Sequence, residues 1–155
     1  MMLLIFCLLL GCVTGLRSLT PPAAVCWAAH FGWLNLVGTK LAFMDRPVTL
    51  ILLTLLAVAE LVADKLPKTP ARTAPLGLIA RVVLGGLCGV SLATSAGGTL
   101  LVPAIVAVVG ALIGTFVGYQ TRHTLVFRAH VPDFAVAIAE DVFAVAGSLL
   151  IVSHV

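Results

Sequence analysis

The sequence predicts an all-α integral membrane protein of about six helices, and three observations support this fold class. Of the 155 residues, 61% are hydrophobic and only 10% are charged, and the mean hydropathy is +1.21. A typical soluble domain has about 25% charged residues, and one of this size cannot bury so much apolar surface. The apolar residues also form runs close to the roughly 20 residues that a helix needs to cross the hydrocarbon. Residues 1–155 are therefore treated as a single membrane domain.

Proline-bearing turns separate the first three predicted helices. Helix 1 covers about residues 1–19 and ends before two adjacent prolines, which break a helix. Helix 2, residues 22–43, is the least apolar, and its tryptophans, histidine and lysine also suit an interfacial or re-entrant helix. Helix 3 covers residues 47–66, with Pro47 in its first turn, where a missing N–H group has no consequence.

A basic, proline-rich connector at residues 67–75 precedes the last three predicted helices. Helix 4 covers residues 75–95, and a short uncharged turn leads to helix 5 at residues 99–119. A second basic loop, residues 120–131, leads to helix 6 at residues 132–152. The chain therefore has six apolar segments of suitable length, with helix 2 as the uncertain one.

The distribution of basic residues predicts the orientation of these segments. If all six helices span the membrane, six Lys and Arg residues lie on one side and two on the other. If helix 2 lies in the interface, the split is five against three, so the positive-inside rule favours six spans. The rule places both termini outside, and the basic loops 65–75 and 120–131 in the cytoplasm. The larger set is Arg17, Lys65, Lys68, Arg72, Arg122 and Arg128, and the smaller is Lys40 and Arg46.

Recurring small residues predict close helix packing and an internal repeat. Two glycines four residues apart, followed by a threonine, occur twice at an offset of 74 residues; these are Gly11, Gly15 and Thr20, and Gly85, Gly89 and Thr94. Halves 1–70 and 75–155 would each hold three helices and so run in opposite directions, as in many transporters. Chance agreement in a glycine-rich chain is the alternative. Glycines at the same spacing in helix 5 predict close packing within one chain or at a dimer seam.

Ionisable residues inside the predicted helices form the candidate site, because such groups in hydrocarbon usually face the bundle interior or water. Helical rise places Glu60, Arg81 and Glu140 at one level, about 9 to 12 Å from the end that carries the basic loops. Asp64 shares a face with Glu60, four residues before it. Asp141 diverges from Glu140 by about 100° around the helix, so one of the two is expected to face the carboxylate pair and the other a base.

Four carboxylates with at most two arginines predict an excess of negative charge, which is unfavourable in a low dielectric. Protonation, a bound cation or entry of water would each relieve it, and each implies proton or cation handling. A metal ion, if one is bound, would be held by Glu60, Asp64 and Glu140. In the structural alternative the charges are ion pairs that pin the helices together. The expected pairs are then Glu60 or Glu140 with Arg81, and Asp64 with Arg17 or Lys65.

The segment of residues 15–22, GLRSLTPP, is a second candidate feature. Carbonyl groups before two prolines lose their helical partners, and broken helices at membrane depth are tolerated where they line a cavity. Ser18 and Thr20 would supply hydroxyl ligands there, and Arg17 an anion contact. The alternative is an ordinary helix end at the interface, with the Arg17 side chain snorkelling to water.

Three motifs together resemble a known family. Residues 15–23 (GLRSLTPPA), residues 59–72 (AELVADKLPKTPAR) and the Ala139-Glu140-Asp141 turn are similar to those of small bacterial inner-membrane proteins catalogued as a domain of unknown function. The resemblance covers nearly the whole chain. It implies a multi-pass protein of the bacterial inner membrane, and it implies no particular activity.

The leading hypothesis is a small transporter or channel-like permease for a cation, a proton or a small solute coupled to either, with a homodimer completing the pathway. The alternative is a non-transporting scaffold or assembly partner, whose basic loops meet a protein or anionic lipid. A lipid-acting membrane enzyme is the third reading, with Asp64 as its shallow carboxylate. Hydrolase, metalloprotease and nucleotide-binding motifs are missing from the sequence, so catalysis is less expected than transport or a scaffold role, and no cofactor is expected. The scattered basic residues do not predict a nucleic-acid surface.

Overall fold

A computed structural model describes residues 1–65, 74–128 and 130–155, and all regular secondary structure in these ranges is helical. The helices are α1 (Met2–Leu16), α2 (Thr20–His30), α3 (Pro47–Ala63), α4 (Pro75–Ser95), α5 (Leu101–Phe127) and α6 (Asp133–Val152), with a short 3-10 helix at Ala42–Asp45. The prediction of an all-α membrane fold with about six helices is confirmed. The basic connector predicted at residues 65–75 lies largely outside the described residues.

Three of the described helices, α4, α5 and α6, are long and apolar enough to cross a membrane. Helices α1 and α3 are equally apolar but shorter, with 15 and 17 residues. Helix α5 has 27 residues, which gives a length of about 40 Å. Because the hydrocarbon is only about 30 Å thick, α5 must tilt or extend beyond it.

Helix α2 is the main departure from the predicted elements. It was expected over residues 22–43, but it ends at His30 and has 11 residues, too few to cross the hydrocarbon. Its end is a Schellman motif, in which Gly32 has a φ of 75° and the N–H of Trp33 donates to the carbonyl of Ala28 at 2.8 Å. Glycine adopts this left-handed conformation without steric strain. The short α2 therefore fits the interfacial or re-entrant alternative.

Glycines set the spacing between α1 and α5, which run side by side in the same direction. A Cβ atom on any of four glycines would lie 2.0–2.3 Å from a backbone oxygen of the opposite helix; these are Gly11 and Gly15 of α1, and Gly110 and Gly114 of α5. Backbones this close exclude any side chain between them. The predicted small-residue pattern thus serves packing within the chain.

Helix α4 packs on another side of α5 and runs in the opposite direction. A Cβ on Gly89 would lie 2.6 Å from the carbonyl oxygen of Pro103. Both glycine pairs of the predicted repeat therefore contact the same helix, α5. The helices that would correspond in an inverted repeat, α2 and α5, have 11 and 27 residues. The repeat and its two halves stay a prediction.

The helices form two groups, which pack against each other side by side. Helices α1, α4 and α5 pack on one another through their small residues, and α2 packs against α3 and α6. At one end, here named the charged end, α1, α3 and α5 finish, and Arg122 contacts Asp64. At the opposite end the N–H of Asn35 donates to Ser95 Oγ at 2.9 Å. The orientation of these two ends across a membrane stays a prediction.

Candidate functional site

The site is built around the break between α1 and α2. Helix α1 ends at Leu16, and Arg17 has the extended conformation of φ −135° and ψ 112°. Helix α2 then starts at Thr20 with prolines in its first turn, where they fit without loss of a hydrogen bond. The break turns the Arg17 side chain into the bundle, where 1% of the residue is exposed. The snorkelling alternative for Arg17 is therefore wrong.

Glu60 of α3 accepts hydrogen bonds from the residues at this break. Its Oε1 accepts hydrogen bonds from the N–H of Ser18 at 2.8 Å and the Ser18 hydroxyl at 2.5 Å, and its Oε2 accepts from the N–H of Leu19 at 2.8 Å. These N–H groups at the start of α2 have no partner within the helix. A negative charge there also interacts favourably with the positive end of the helix dipole. Glu60 therefore acts as a cap for α2, with the Ser18 hydroxyl as one of its donors.

Thr20, the other predicted hydroxyl ligand, sits in the first turn of α2. Its hydroxyl oxygen is buried, and among the described residues it has no hydrogen-bond partner. A buried polar atom without a partner is unusual and requires an explanation. The Thr20 side chain also lines a cavity, described below.

Arg17 is the centre of an ion-pair network. Its Nη1 lies 2.6 Å from Asp64 Oδ2 on α3, and its Nη2 lies 2.6 Å from Asp141 Oδ1 on α6. The second contact is an ion pair without the alignment of a hydrogen bond. Glu140 is farther from Nη2, at 4.0 Å. The expected pair of Arg17 with Asp64 is thus present. Glu140 and Asp141, which are adjacent on α6, both lie within 4.0 Å of Arg17 Nη2.

Two further bases extend the network. Arg122 Nη1 lies 2.6 Å from Asp64 Oδ2 and 3.7 Å from Glu140 Oε2. Its Nε and Nη2 bind both oxygens of Asp133, at 2.8 and 2.9 Å. Lys65 Nζ lies 2.5 Å from Asp141 Oδ2 and also donates to the carbonyl of Leu61. Lys65 was the alternative to Arg17 as the expected partner of Asp64, and it pairs with Asp141.

Arg122 and Asp133 were missed by sequence reasoning because helix 5 was predicted to end at residue 119. In the structure α5 continues to Phe127, which carries Arg122 into the bundle. The signal lay in the apolar residues after it, Leu125 to Phe127, which continue the helical pattern. Asp133 is the first residue of α6 and reaches Arg122 across the connection between the two helices.

The observed pairs add one base and one carboxylate to the predicted site. Its four carboxylates share the network with three bases rather than two; these bases are Arg17, Lys65 and Arg122. Because Arg122 also binds Asp133, the carboxylates still outnumber the bases by two among these eight groups. Arg81 is buried in α4, with 8% exposed, and its place in the site stays a prediction. Within the described ranges, no group of three His, Cys, Asp or Glu side chains is arranged to hold a metal ion.

Two apolar cavities adjoin the network. The first, here named the inner chamber, has a volume of about 210 Å³ and lies between α2, α3 and α6, and its lining includes Thr20, Trp27, Thr54 and Leu61. It is partly open to the outside of the bundle, because three of its lining residues are exposed: Val58, Val145 and Leu149. Trp27 Nε1 donates to Thr54 Oγ1 there at 3.1 Å. The lateral groove, of about 560 Å³, lies between α1, α5 and α6, and Glu140 forms part of its wall. The chamber thus reaches Thr20 and Leu61, which are next in sequence to Leu19 and Glu60 at the break. The network borders the groove at Glu140.

A family model describing a domain of unknown function, DUF4126, matches residues 4–154, and the chain belongs to that family. This supports the resemblance to a family of unknown function. No curated protein and no solved structure matches the chain. The family gives no activity, so the function has to be argued from the geometry. Residues 66–72 of the second motif lie outside the described residues, whereas Arg17, Glu60, Asp64, Glu140 and Asp141 all meet at the charged end.

Proposed function

We propose that this protein is a small membrane transporter in which the ion-pair network closes one end of the inner chamber. One observation carries the proposal. The three helices that line the chamber, α2, α3 and α6, are tied together at the charged end by buried charges. Glu60 ties α3 to the start of α2, and Arg17 ties that same junction to Asp64 of α3 and Asp141 of α6.

The network has the properties of a gate because its pairs can be exchanged. Asp64 contacts both Arg17 and Arg122, and Asp141 contacts both Arg17 and Lys65. Each carboxylate therefore keeps one base if Arg17 moves away. A buried ion pair contributes little net stability, so protonation of a carboxylate would shift the balance between closed and open arrangements. Proton coupling follows from this design.

The lining of the chamber narrows the class of substrate. The residues that line it in the described part of the chain are all uncharged, and their polar groups are the hydroxyls of Thr20 and Thr54 and the indole N–H of Trp27. A bare cation would find no counter-charge there, whereas a small neutral solute would find apolar walls and the Thr20 hydroxyl, which has no partner among the described residues. Trp27 donates to Thr54, and Thr54 donates to the carbonyl of Leu50. The volume of 210 Å³ corresponds to about seven water molecules at roughly 30 Å³ each. We therefore propose a small neutral solute whose movement is coupled to protons.

The second candidate is a non-transporting scaffold, and the burial of Arg17 favours it. A guanidinium with 1% exposure that bridges two helices would also keep this protein in one fixed shape, as a scaffold requires. The lipid-acting enzyme has less support, because Asp64, its shallow carboxylate, is already held by two arginines at 2.6 Å. A free acid or base is needed for such chemistry.

The test is solute-driven proton movement in proteoliposomes loaded with a pH-sensitive dye. The wild type, Asp64→Asn and Asp141→Asn are compared across small neutral amides, alcohols and polyols. Asp45→Asn, at the opposite end of the bundle near His30, is the matched control. At least one solute should move protons in the wild type and the control, and both network variants should lose coupling while folded. If no solute moves protons and the network variants only melt at lower temperature, the transporter proposal fails and the scaffold becomes the favoured function.

A further inference from the structure

We propose that the lateral groove binds one acyl chain of an anionic phospholipid, with the headgroup at the charged end. The inference is independent of transport. The groove exists because α5 and α6 scarcely pack against each other, and because small residues face it from both helices. These include Gly114, Gly118, Ala135 and Ala139. The result is a concave apolar surface on a face of the bundle that has no protein partner among the described residues.

The length of the groove matches one leaflet. Its lining on α5 runs from Ile113 to Leu125, twelve residues or about 18 Å along the helix. Half of the hydrocarbon thickness is about 15 Å. Ile113 lies at the middle of α5, and Leu125 lies two residues before its end at Phe127. A single acyl chain that enters at the charged end would therefore reach the middle of the bundle.

The charges at the mouth of the groove select an anionic headgroup. Arg128 follows Leu125 by three residues, so it lies on the same face of the helix, and it is exposed. Residues 120–131 hold two arginines, two histidines and no acid. Asp133 stands nearby, but both its oxygens are bound by Arg122. An exposed arginine near a membrane surface attracts anionic lipid.

Among the described residues that line the groove, Glu140 is the one that carries a charge. It lies seven residues into α6, about 10 Å from the start of that helix, so it would adjoin the acyl chain and not the phosphate. Its Oε2 is 3.7 Å from Arg122 Nη1. A chain in the groove would cover this carboxylate and keep it from water, which strengthens its pairing with the network. Lipid occupancy is thereby linked to the stability of the charged end.

The test measures lipid retained by the purified protein. Delipidated protein is titrated with phosphatidylglycerol or with phosphatidylcholine, and bound lipid is counted by native mass spectrometry. Ala139→Phe and Ala135→Phe fill the groove at exposed positions of α6. The matched control is Val142→Phe, on the same helix, which is 63% exposed and outside the groove. Melting temperature in detergent confirms that each variant is folded.

We expect the wild type and Val142→Phe to retain one phosphatidylglycerol and both filling variants to lose it. Arg128→Gln should weaken phosphatidylglycerol binding by about fivefold and leave phosphatidylcholine binding unchanged. Equal retention by a folded filling variant and the control would overturn the proposal. So would a wild-type dimer that Ala139→Phe converts to monomers without loss of lipid, because a second copy of the chain would then cover the groove.

Discussion

The two groups of helices are held together by different kinds of contact. Helices α1 and α5 meet backbone to backbone, with Gly11 and Gly114 leaving no room for a Cβ atom. At the charged end, α2, α3 and α6 are joined by long side chains, and Asp64 and Asp141 each contact two bases. A glycine interface has one close-packed arrangement, whereas a network of shared charges has several of similar energy. The first group is therefore suited to a fixed frame, and the second to movement.

Removal of Arg17 is expected to have the largest effect. Arg17→Met leaves the largely buried Asp64, Glu140 and Asp141 with two bases, and loss of one partner from a buried ion network typically destabilises by about 3–5 kcal/mol. Thermal melting in detergent measures the change. Arg46→Met, an exposed position at the opposite end, is the control and should have little effect.

A double variant tests whether Arg17 acts through its acidic partner. Asp64→Asn should destabilise the wild type, but it should be less harmful in the Arg17→Met background, since one unpaired charge is removed there. Equal losses in the two backgrounds would show that Arg17 and Asp64 are not coupled, and the gate would lose its basis.

A methyl group at the glycine interface should have the next largest effect. The Cβ of Gly114→Ala would lie 2.0 Å from the carbonyl oxygen of Cys12, so α1 and α5 must separate. We expect a loss of about 3 kcal/mol, at the upper end for overpacking. Gly147→Ala is the matched control, because its Cβ would lie 3.7 Å from the nearest atom, on Val13.

The glycine comparison is measured from melting temperatures, with monodispersity on a sizing column as a second readout. The control should match or exceed the wild type, because alanine favours a helix over glycine. Equal melting temperatures for Gly114→Ala and Gly147→Ala would mean that α1 and α5 can separate freely. The contrast between a fixed frame and a movable group would then fail.

The smallest effect is expected at the cap of α2. Glu60→Gln keeps an acceptor oxygen for Ser18 or Leu19 but loses the charge that favours the helix start, so we expect a loss of about 1 kcal/mol. Hydrogen exchange at the Leu19 amide should become faster, while exchange within α5 stays unchanged. Unchanged exchange at Leu19 would contradict the assignment of Glu60 as a cap.

Composition was sufficient to predict the fold class, because apolar content decides between lipid and water as the surrounding medium. Proline positions predicted the starts of α3 and α4 to the residue. The end of α2 was missed because Gly32 stands in an apolar and aromatic stretch, where one glycine gives little warning of a Schellman motif. The end of α5 was missed because Gln120 to His123 is polar and was interpreted as a loop. Of these residues, Arg122 faces the carboxylates of Asp64 and Asp133.

The members of the site were predicted better than their pairing. Arg17, Asp64, Glu140 and Asp141 were identified because charges inside apolar runs are rare, and all four meet in the structure. The pair of Arg17 with Asp64 was among those expected. The partners of Asp141 and Lys65 could not be deduced, since contacts between helices depend on tilt and rotation that periodicity does not give. Lys65 illustrates this limit, because its sequence neighbour is Asp64 and its ion-pair partner is Asp141.

The parallel contact of α1 with α5 has a consequence for biogenesis. Helix α1 ends at Leu16 and α5 begins at Leu101, so the glycine surface of α1 is synthesised long before the helix that covers it. Until then lipid or the insertion machinery must cover that surface. Arg17 has no acidic partner from α3 or α6 until Asp64 and then Asp141 have been synthesised. Contacts so distant in sequence form slowly. Ribosome-bound chains that stop before α5 should therefore remain open and sensitive to proteases.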